Sequence, residues 1–154
     1  MIDIERYETI LRRMADLRIV VVGDLMLDHY IWGDTDRISP EAPVPVVSVH
    51  HDSFVPGGAA NVAVNLKAIG VTPTLFGIVG DDEPGRKLSS ILEEHGIGLN
   101  NLARPESGVQ SIVKTRVIVQ KQQICRIDRE DQPENYHPED ELTRRCAEFC
   151  ASTD

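Results

Sequence analysis

The run "FVPGGAANVAVNLKAIG", residues 54–70, sets two glycines and two alanines ahead of an asparagine, then runs into an apolar helical pattern. Glycines without Cβ let a backbone approach a ligand to hydrogen-bonding distance. A helix that starts there adds free N–H donors and a positive partial charge. Gly57 and Gly58 supply the bare backbone. Asn61, whose amide both donates and accepts, can pair a hydroxyl in either sense. A phosphate or a polyol would suit such a cradle. Close packing of the helix on a sheet is the competing use of small residues here.

The phosphate loops fail on specifics. A Walker loop carries Lys-Ser/Thr after its glycines, where this chain has Ala60-Asn61. A dinucleotide fingerprint follows the first strand directly, and here a proline-rich segment intervenes. The polyol reading gains from "VVVGDLMLDHY", which sets Asp24 and Asp28 just beyond the C-terminal end of a buried strand. Ligands of open α/β sheets bind at that end, and a carboxylate there accepts hydrogen bonds from two neighbouring hydroxyls. Asp24 can equally serve a turn or a cap. Asp28 sits among Leu25, Met26, Leu27 and Tyr30, which makes a turn role less natural.

The elements that would position these residues alternate in type. Asp3 caps a helix with an apolar stripe of Ile4, Tyr7, Ile10, Leu11 and Met14. "RIVVVGD" reads as a fully buried strand stopped by Gly23. Prolines 40, 43 and 45 exclude a helix and a central strand from the segment that follows, placing it on an edge or outside the main sheet. A helix over 57–69 turns Val62, Leu66 and Ile69 inward and ends at Gly70. "TPTLFGIVG" is a second buried strand; Pro84 opens a helix with Leu88, Ile91 and Leu92 inward, ended by Gly96. Residues 97–103 give a third strand, and "SIVKTRVIVQKQQICRIDRE" an antiparallel hairpin about its polar centre. Pro138 opens a last helix through about Ala151. The alternation implies βαβ units and a mostly parallel sheet. Three parallel strands are few for that architecture, so the chain reads as the front part of a larger domain.

Composition narrows the function classes. With 16 Lys and Arg against 25 Asp and Glu, the net charge of −9 argues against nucleic-acid or anionic-membrane partners. No apolar run reaches the roughly 20 residues of a membrane span, and the N-terminus lacks a signal-peptide pattern. Cys125, Cys146 and Cys150 match no zinc spacing and read as reduced thiols of a cytoplasmic protein. The acidic run from Asp128 to Leu142 reads as a solvated loop and helix start, with no metal assigned.

"GGAANVAVNLKAIGVTPTLFGIVG" resembles, position for position, the first signature of the ribokinase-like (phosphofructokinase-B type) carbohydrate kinases: Gly57-Gly58-Ala59, Asn61, Ala63, Gly70 and Gly80. Within that family, "GDLMLDHYIWGDTDRISPEAPVPVV" and "QQICRIDRE" are most similar to kinases of D-glycero-β-D-manno-heptose 7-phosphate. The resemblance implies the N-terminal portion (residues 1–154) of a doubly wound, mostly parallel α/β fold, with a small β lid from about 33–52 and 112–128. It also implies ATP- and Mg²⁺-dependent phosphorylation of the sugar's anomeric hydroxyl, a step towards ADP-heptose and lipopolysaccharide cores. Asp28, Gly57, Gly58 and Asn61 would bind the sugar. Lys121 and Arg126 would face its existing phosphate, unless they are solvated lid charges. A homodimer would form through the lid. The family's catalytic aspartate, in a Gly-Ala-Gly-Asp motif, has no match here, so the catalytic, anion-hole and nucleotide groups are expected in a C-terminal half. Two other readings stay open: a sugar-phosphate-binding module without chemistry, and a kinase of the same family for another sugar.

Overall fold

The computed structural model describes residues 3–105, 108–136 and 140–152. Helix α1 (Ile4–Met14) starts at Asp3, whose carboxylate accepts from the amides of Glu5 and Arg6. Its expected stripe is only partly satisfied: Ile4, Tyr7 and Ile10 are exposed and no residue of α1 is buried. Strands β1 (Arg18–Val22), β4 (Thr72–Ile78) and β5 (Leu102–Ala103) form a three-stranded parallel sheet in the order β1-β4-β5. β4 is buried as expected. β1 is an edge, with Val22 at 64% exposure, so the expectation of a fully buried first strand is corrected. The third strand shrinks to two residues.

The segments between these strands form a second sheet. β2 (Leu25–Ile38), β3 (Pro45–Gly57), β6 (Ile112–Val119) and β7 (Gln122–Arg129) lie in the order β3-β2-β6-β7. The prolines act as their chemistry requires. Pro40 and Pro43 fall in the connection, and Pro45 is the first residue of the edge strand β3. β6 and β7 make the expected hairpin, turning at Gln120 and Lys121 with φ of 49° and 66°. The parallel pairing of β6 with β2 joins this hairpin to the first one.

Helix α2 (Gly58–Ala68) packs on the first sheet through Ala60 and Ala63. The expected inward face was Val62, Leu66 and Ile69, yet Val62 and Ile69 are about half exposed. The interior positions go to Ala60 and Ala63, both fully buried, on the side of α2 that packs against β4 and the end of β3. α3 (Glu83–Glu94) turns Leu88 and Leu92 inward as its spacing requires. The core joins these helices to both sheets through Leu25, Leu27, Leu75, Val79 and Val113. Phe76, on the opposite side of β4 from Leu75, meets Phe149 of α4 (Asp140–Ala151) at 6.0 Å. Helices thus cover both faces of β4. Pro138, assigned as the opening of α4, lies outside the described residues.

Asp82 ties the two sheets together. It caps α3 by accepting from the Gly85 amide at 2.9 Å, and it accepts from the Ser111 amide at 2.9 Å and hydroxyl at 2.6 Å. Ser111 Oγ in turn accepts from the Gly80 amide at 3.0 Å. Partial burial raises the Asp82 pKa, but the hydrogen bonds from Ser111 and Gly85 outweigh it and hold the carboxyl below its ordinary value. A lowered carboxylate pKa stabilises the fold above the usual carboxylate range; that contribution is lost as pH falls through the folded value. Asp82→Ala is expected to destabilise the chain by about 2 kcal/mol at pH 7, from the lost cap and hydrogen bonds. Thermal melts of the parent and variant should converge as the pH falls below about 4. A constant difference across that range would show that the carboxylate's charge plays no part.

Candidate functional site

The connection from β1 to β2 is one tight turn, Gly23-Asp24, and β2 then runs antiparallel to β3. This pairing sets Met26 against Gly57 and Asp28 against Val55, so the end of β3 and the start of α2 lie beside the first residues of β2. Asp28 is therefore inside the second sheet, on β2, and not in the loop after β1 as the sequence suggested. Asp24 occupies that loop. Its carbonyl accepts from the Ala59 amide at 3.0 Å, fastening the end of β1 to the first turn of α2.

Asp28 and the glycine pair come together. A Cβ built on Gly57 would lie 2.8 Å from Asp28 Oδ2 and 2.7 Å from Met26 Cγ, so the carboxylate fills space that only glycine leaves. Gly58 has φ of +57°, and a Cβ there would lie 2.4 Å from the Asp24 carbonyl oxygen. Both glycines are thus required by close approach, and the second also by its backbone conformation. Gly57 caps α2 without any side-chain hydrogen bond. Asn61, exposed one turn into the helix, accepts from Asn65 Nδ2 at 3.2 Å through its Oδ1, which leaves its own NH₂ as a donor. It does not cap the helix.

Arg116 is the residue that sequence reading missed. Its Nη1 donates to Asp28 Oδ1 at 2.5 Å, and its guanidinium lies 5.3 Å from the centre of the Tyr30 ring. The Asp28 hydrogen bond holds the Arg116 pKa above its ordinary value. Among the described residues Asp28 Oδ2, on the Gly57 side, has no hydrogen-bond partner and is free to accept. The signal for Arg116 was present in the alternation of "IVKTRVIV", which puts Lys114 and Arg116 on one face. What the sequence did not show was that this face adjoins β2.

Of the two lid cations, Arg126 sits directly across from Arg116 on β7, sharing its face, about 10 Å from β2 at two strand spacings. It donates to both oxygens of Asp128, at 2.9 and 3.0 Å. Lys121 is at the hairpin tip, beyond Val119; at strand rise that lies at least about 17 Å along β6 from the level of Asp28. The structure brings Asp28, Gly57 and Gly58 together with Asn61 one turn on. Arg126 borders that group, and Lys121 stands apart.

The Asp28 face can accept and orient hydroxyls. Among the described residues no group of three or more His, Cys, Asp or Glu side chains is placed to hold a metal ion. Next to the site, a small cavity of about 150 Å³ opens at the C-terminal ends of β1 and β4, lined by Gly23, Asp24, Gly77 and Tyr136 among others.

The chain is 54% identical over 112 residues to the bifunctional protein HldE of Magnetococcus marinus, covering 73% of this chain and 23% of that protein. It is 50% identical over 125 residues to HldE of Alkalilimnicola ehrlichii, covering 81% and 26%. It is 46% identical over 122 residues to the D-beta-D-heptose 7-phosphate kinase of Bordetella bronchiseptica, covering 79% and 38%. The chain thus spans a quarter to two fifths of the length of these relatives. Among solved structures, ribokinase from Cryptococcus neoformans in complex with ADP superposes with a TM-score of 0.53 at 20% identity, covering 73% of this chain and 34% of that one. The nucleoside kinase of Methanocaldococcus jannaschii gives 0.54 at 22% identity, covering 73% and 36%. These likenesses show a ribokinase-like fold, here its N-terminal portion. Residues 16–151 match the profile of the pfkB family carbohydrate kinases, and the chain belongs to that family.

Proposed function

We propose that this chain is the acceptor-binding half of an ATP-dependent kinase that phosphorylates D-glycero-β-D-manno-heptose 7-phosphate at its anomeric hydroxyl. The product would be the 1,7-bisphosphate, used towards ADP-heptose and lipopolysaccharide cores in the cytoplasm. The observation that carries this reading is the Asp28 carboxylate, with one oxygen on Arg116 and the other open beside Gly57. The heptose 7-phosphate kinase name of the Bordetella relative supports the choice of sugar. ATP and Mg²⁺ belong to the second half of the fold in this reading.

The chain's own work is binding and orientation. Asp28 Oδ2 accepts from sugar hydroxyls, and the backbone at Gly57 and Gly58 closes on the ring. Asn61 donates to a sugar oxygen through its NH₂. Segments 33–52 and 112–128 act as the lid and carry a homodimer contact. Arg126, released from Asp128, faces the 7-phosphate, with Lys121 arriving from the hairpin tip on closure.

Asn61→Asp tests the reading because a structural and a binding role make opposite forecasts. A carboxylate in the first turn of α2 suits the helix dipole, so the melting temperature should hardly change. The sugar loses a donor and meets a new charge near a phosphorylated substrate. In a kinase carrying this chain with its second half, kcat/KM for the sugar should fall at least about tenfold. Unchanged sugar kinetics would return Asn61 to a packing role.

A further inference from the structure

The face of the second sheet opposite Asp28 carries a groove that the kinase reading leaves unused. Adjacent strand residues point to opposite faces, so Leu27 and His29 turn away from the Asp28 side. Their partners across β6, Val113 and Thr115, turn the same way, as do Phe54 on β3 and Arg129 on β7. The first turns of α3 border this row, leaving a half-open groove of about 490 Å³ between helix and sheet.

Its chemistry divides into a floor and a rim. Leu27, Phe54 and Val113 give an apolar floor, with the Thr115 hydroxyl beside them. His29 is stacked on Phe54 at 4.2 Å and its Nε2 lies 2.8 Å from Asp52 Oδ2, so its ring is held in place. The rim carries Arg86, Lys87 and Arg129 against one acid, Glu83. Arg86 reaches Asp81 only at 3.3 Å. Lys87 Nζ lies 5.3 Å from the centre of the Phe54 ring and has no acidic partner among the described residues. The Arg129 side chain has no hydrogen bond or ion pair among the described residues. In a chain of net charge −9, this local surplus of cations stands against the general trend.

We propose that this groove binds an organic phosphomonoester, with Lys87 and Arg129 on the phosphate and the apolar floor under the organic part. An ammonium and a guanidinium on one rim suit a doubly charged phosphate better than a carboxylate. The apolar floor selects an ester over the free inorganic ion. The site is separate from the acceptor site by the thickness of the sheet, and it does not rest on the kinase reading.

Phenyl phosphate is the probe, titrated into the ¹⁵N-labelled chain, with inorganic phosphate and phenol as the two half-probes. The expected result is saturable shifts of the Phe54, Lys87, Thr115 and Arg129 amides. Phenyl phosphate should bind at least about tenfold more tightly than either half-probe. Combined Lys87→Gln and Arg129→Gln should weaken it at least about tenfold while the melting temperature holds, since both side chains are exposed. If that double variant loses its fold, Arg129→Glu alone on the exposed strand β7 repeats the test. The proposal is overturned by an absence of shifts, by shifts confined to Gly57, Gly58 and Asn61, or by binding that survives the charge changes. Inorganic phosphate binding as tightly as phenyl phosphate would overturn the phosphomonoester assignment.

Discussion

Asp28→Asn, in a kinase that carries this chain with its second half, is expected to cut kcat/KM for the sugar about ten- to a hundredfold while leaving the KM for ATP nearly unchanged. The substitution keeps the shape and removes the charge that strengthens hydroxyl hydrogen bonds, a loss of roughly 1.5–3 kcal/mol. The structure adds a second consequence. Arg116 points at Asp28 Oδ1 from a position where its side chain is only 21% exposed. The amide of the variant can still accept from Arg116 but carries no charge to balance it, so some loss of stability should accompany the kinetic effect. Arg116→Gln combined with Asp28→Asn separates the two. The double variant should recover stability relative to Asp28→Asn and gain no sugar activity. Near-parental sugar kinetics in Asp28→Asn would make the residue a structural partner of Arg116 and nothing more.

The largest stability effect is expected at Gly58. Alanine there would be held at φ of +57°, with its Cβ 2.4 Å from the Asp24 carbonyl oxygen and 2.9 Å from Met26 Cε. Backbone strain alone is about 1–2 kcal/mol. The clash adds to it, because the carbonyl it meets accepts the Ala59 amide and cannot swing aside without losing that bond. Together the destabilisation should reach about 3 kcal/mol, and the melting temperature should fall by about 6–12 °C. Gly70 is the control. It too has positive φ, at +92°, but a Cβ there would meet nothing within 4 Å. Gly70→Ala should therefore cost less than Gly58→Ala. Equal losses from the two variants would show that conformation, and not close approach to Asp24, is what Gly58 provides.

The sequence was most informative where one local rule decides the outcome. Asp3 and Asp82 cap helices because their carboxylates reach free amides within the next turn. Gly70 and Gly96 follow helix ends with positive φ, and the prolines lie in a connection and at an edge. It was least informative where a residue's environment is set by something distant in the chain. Val62 and Ala63 have similar local claims to the interior, and only the packing of α2 on β4 decides between them. Likewise the Asp28–Arg116 pair spans 88 positions and depends on β6 pairing parallel to β2, which periodicity does not specify. Of the candidate site, Gly57, Gly58 and Asn61 were legible from types and spacing. Asp28 was legible as a residue and misplaced by one element. Arg116 was legible as part of a polar strand face, but its place beside Asp28 emerged only when the strands were paired.

The most direct measurement is the fate of the phosphoryl group. The chain joined to the second half of its fold is mixed with ATP, Mg²⁺ and D-glycero-β-D-manno-heptose 7-phosphate, and the products are followed by ³¹P NMR. The expected result is a new anomeric phosphate signal that grows with ADP, is absent without the sugar, and is lost or greatly slowed in Asp28→Asn. ATP turnover that ignores the sugar, transfer to another position, or saturable sugar binding with no transfer would contradict a heptose 7-phosphate 1-kinase built around this chain.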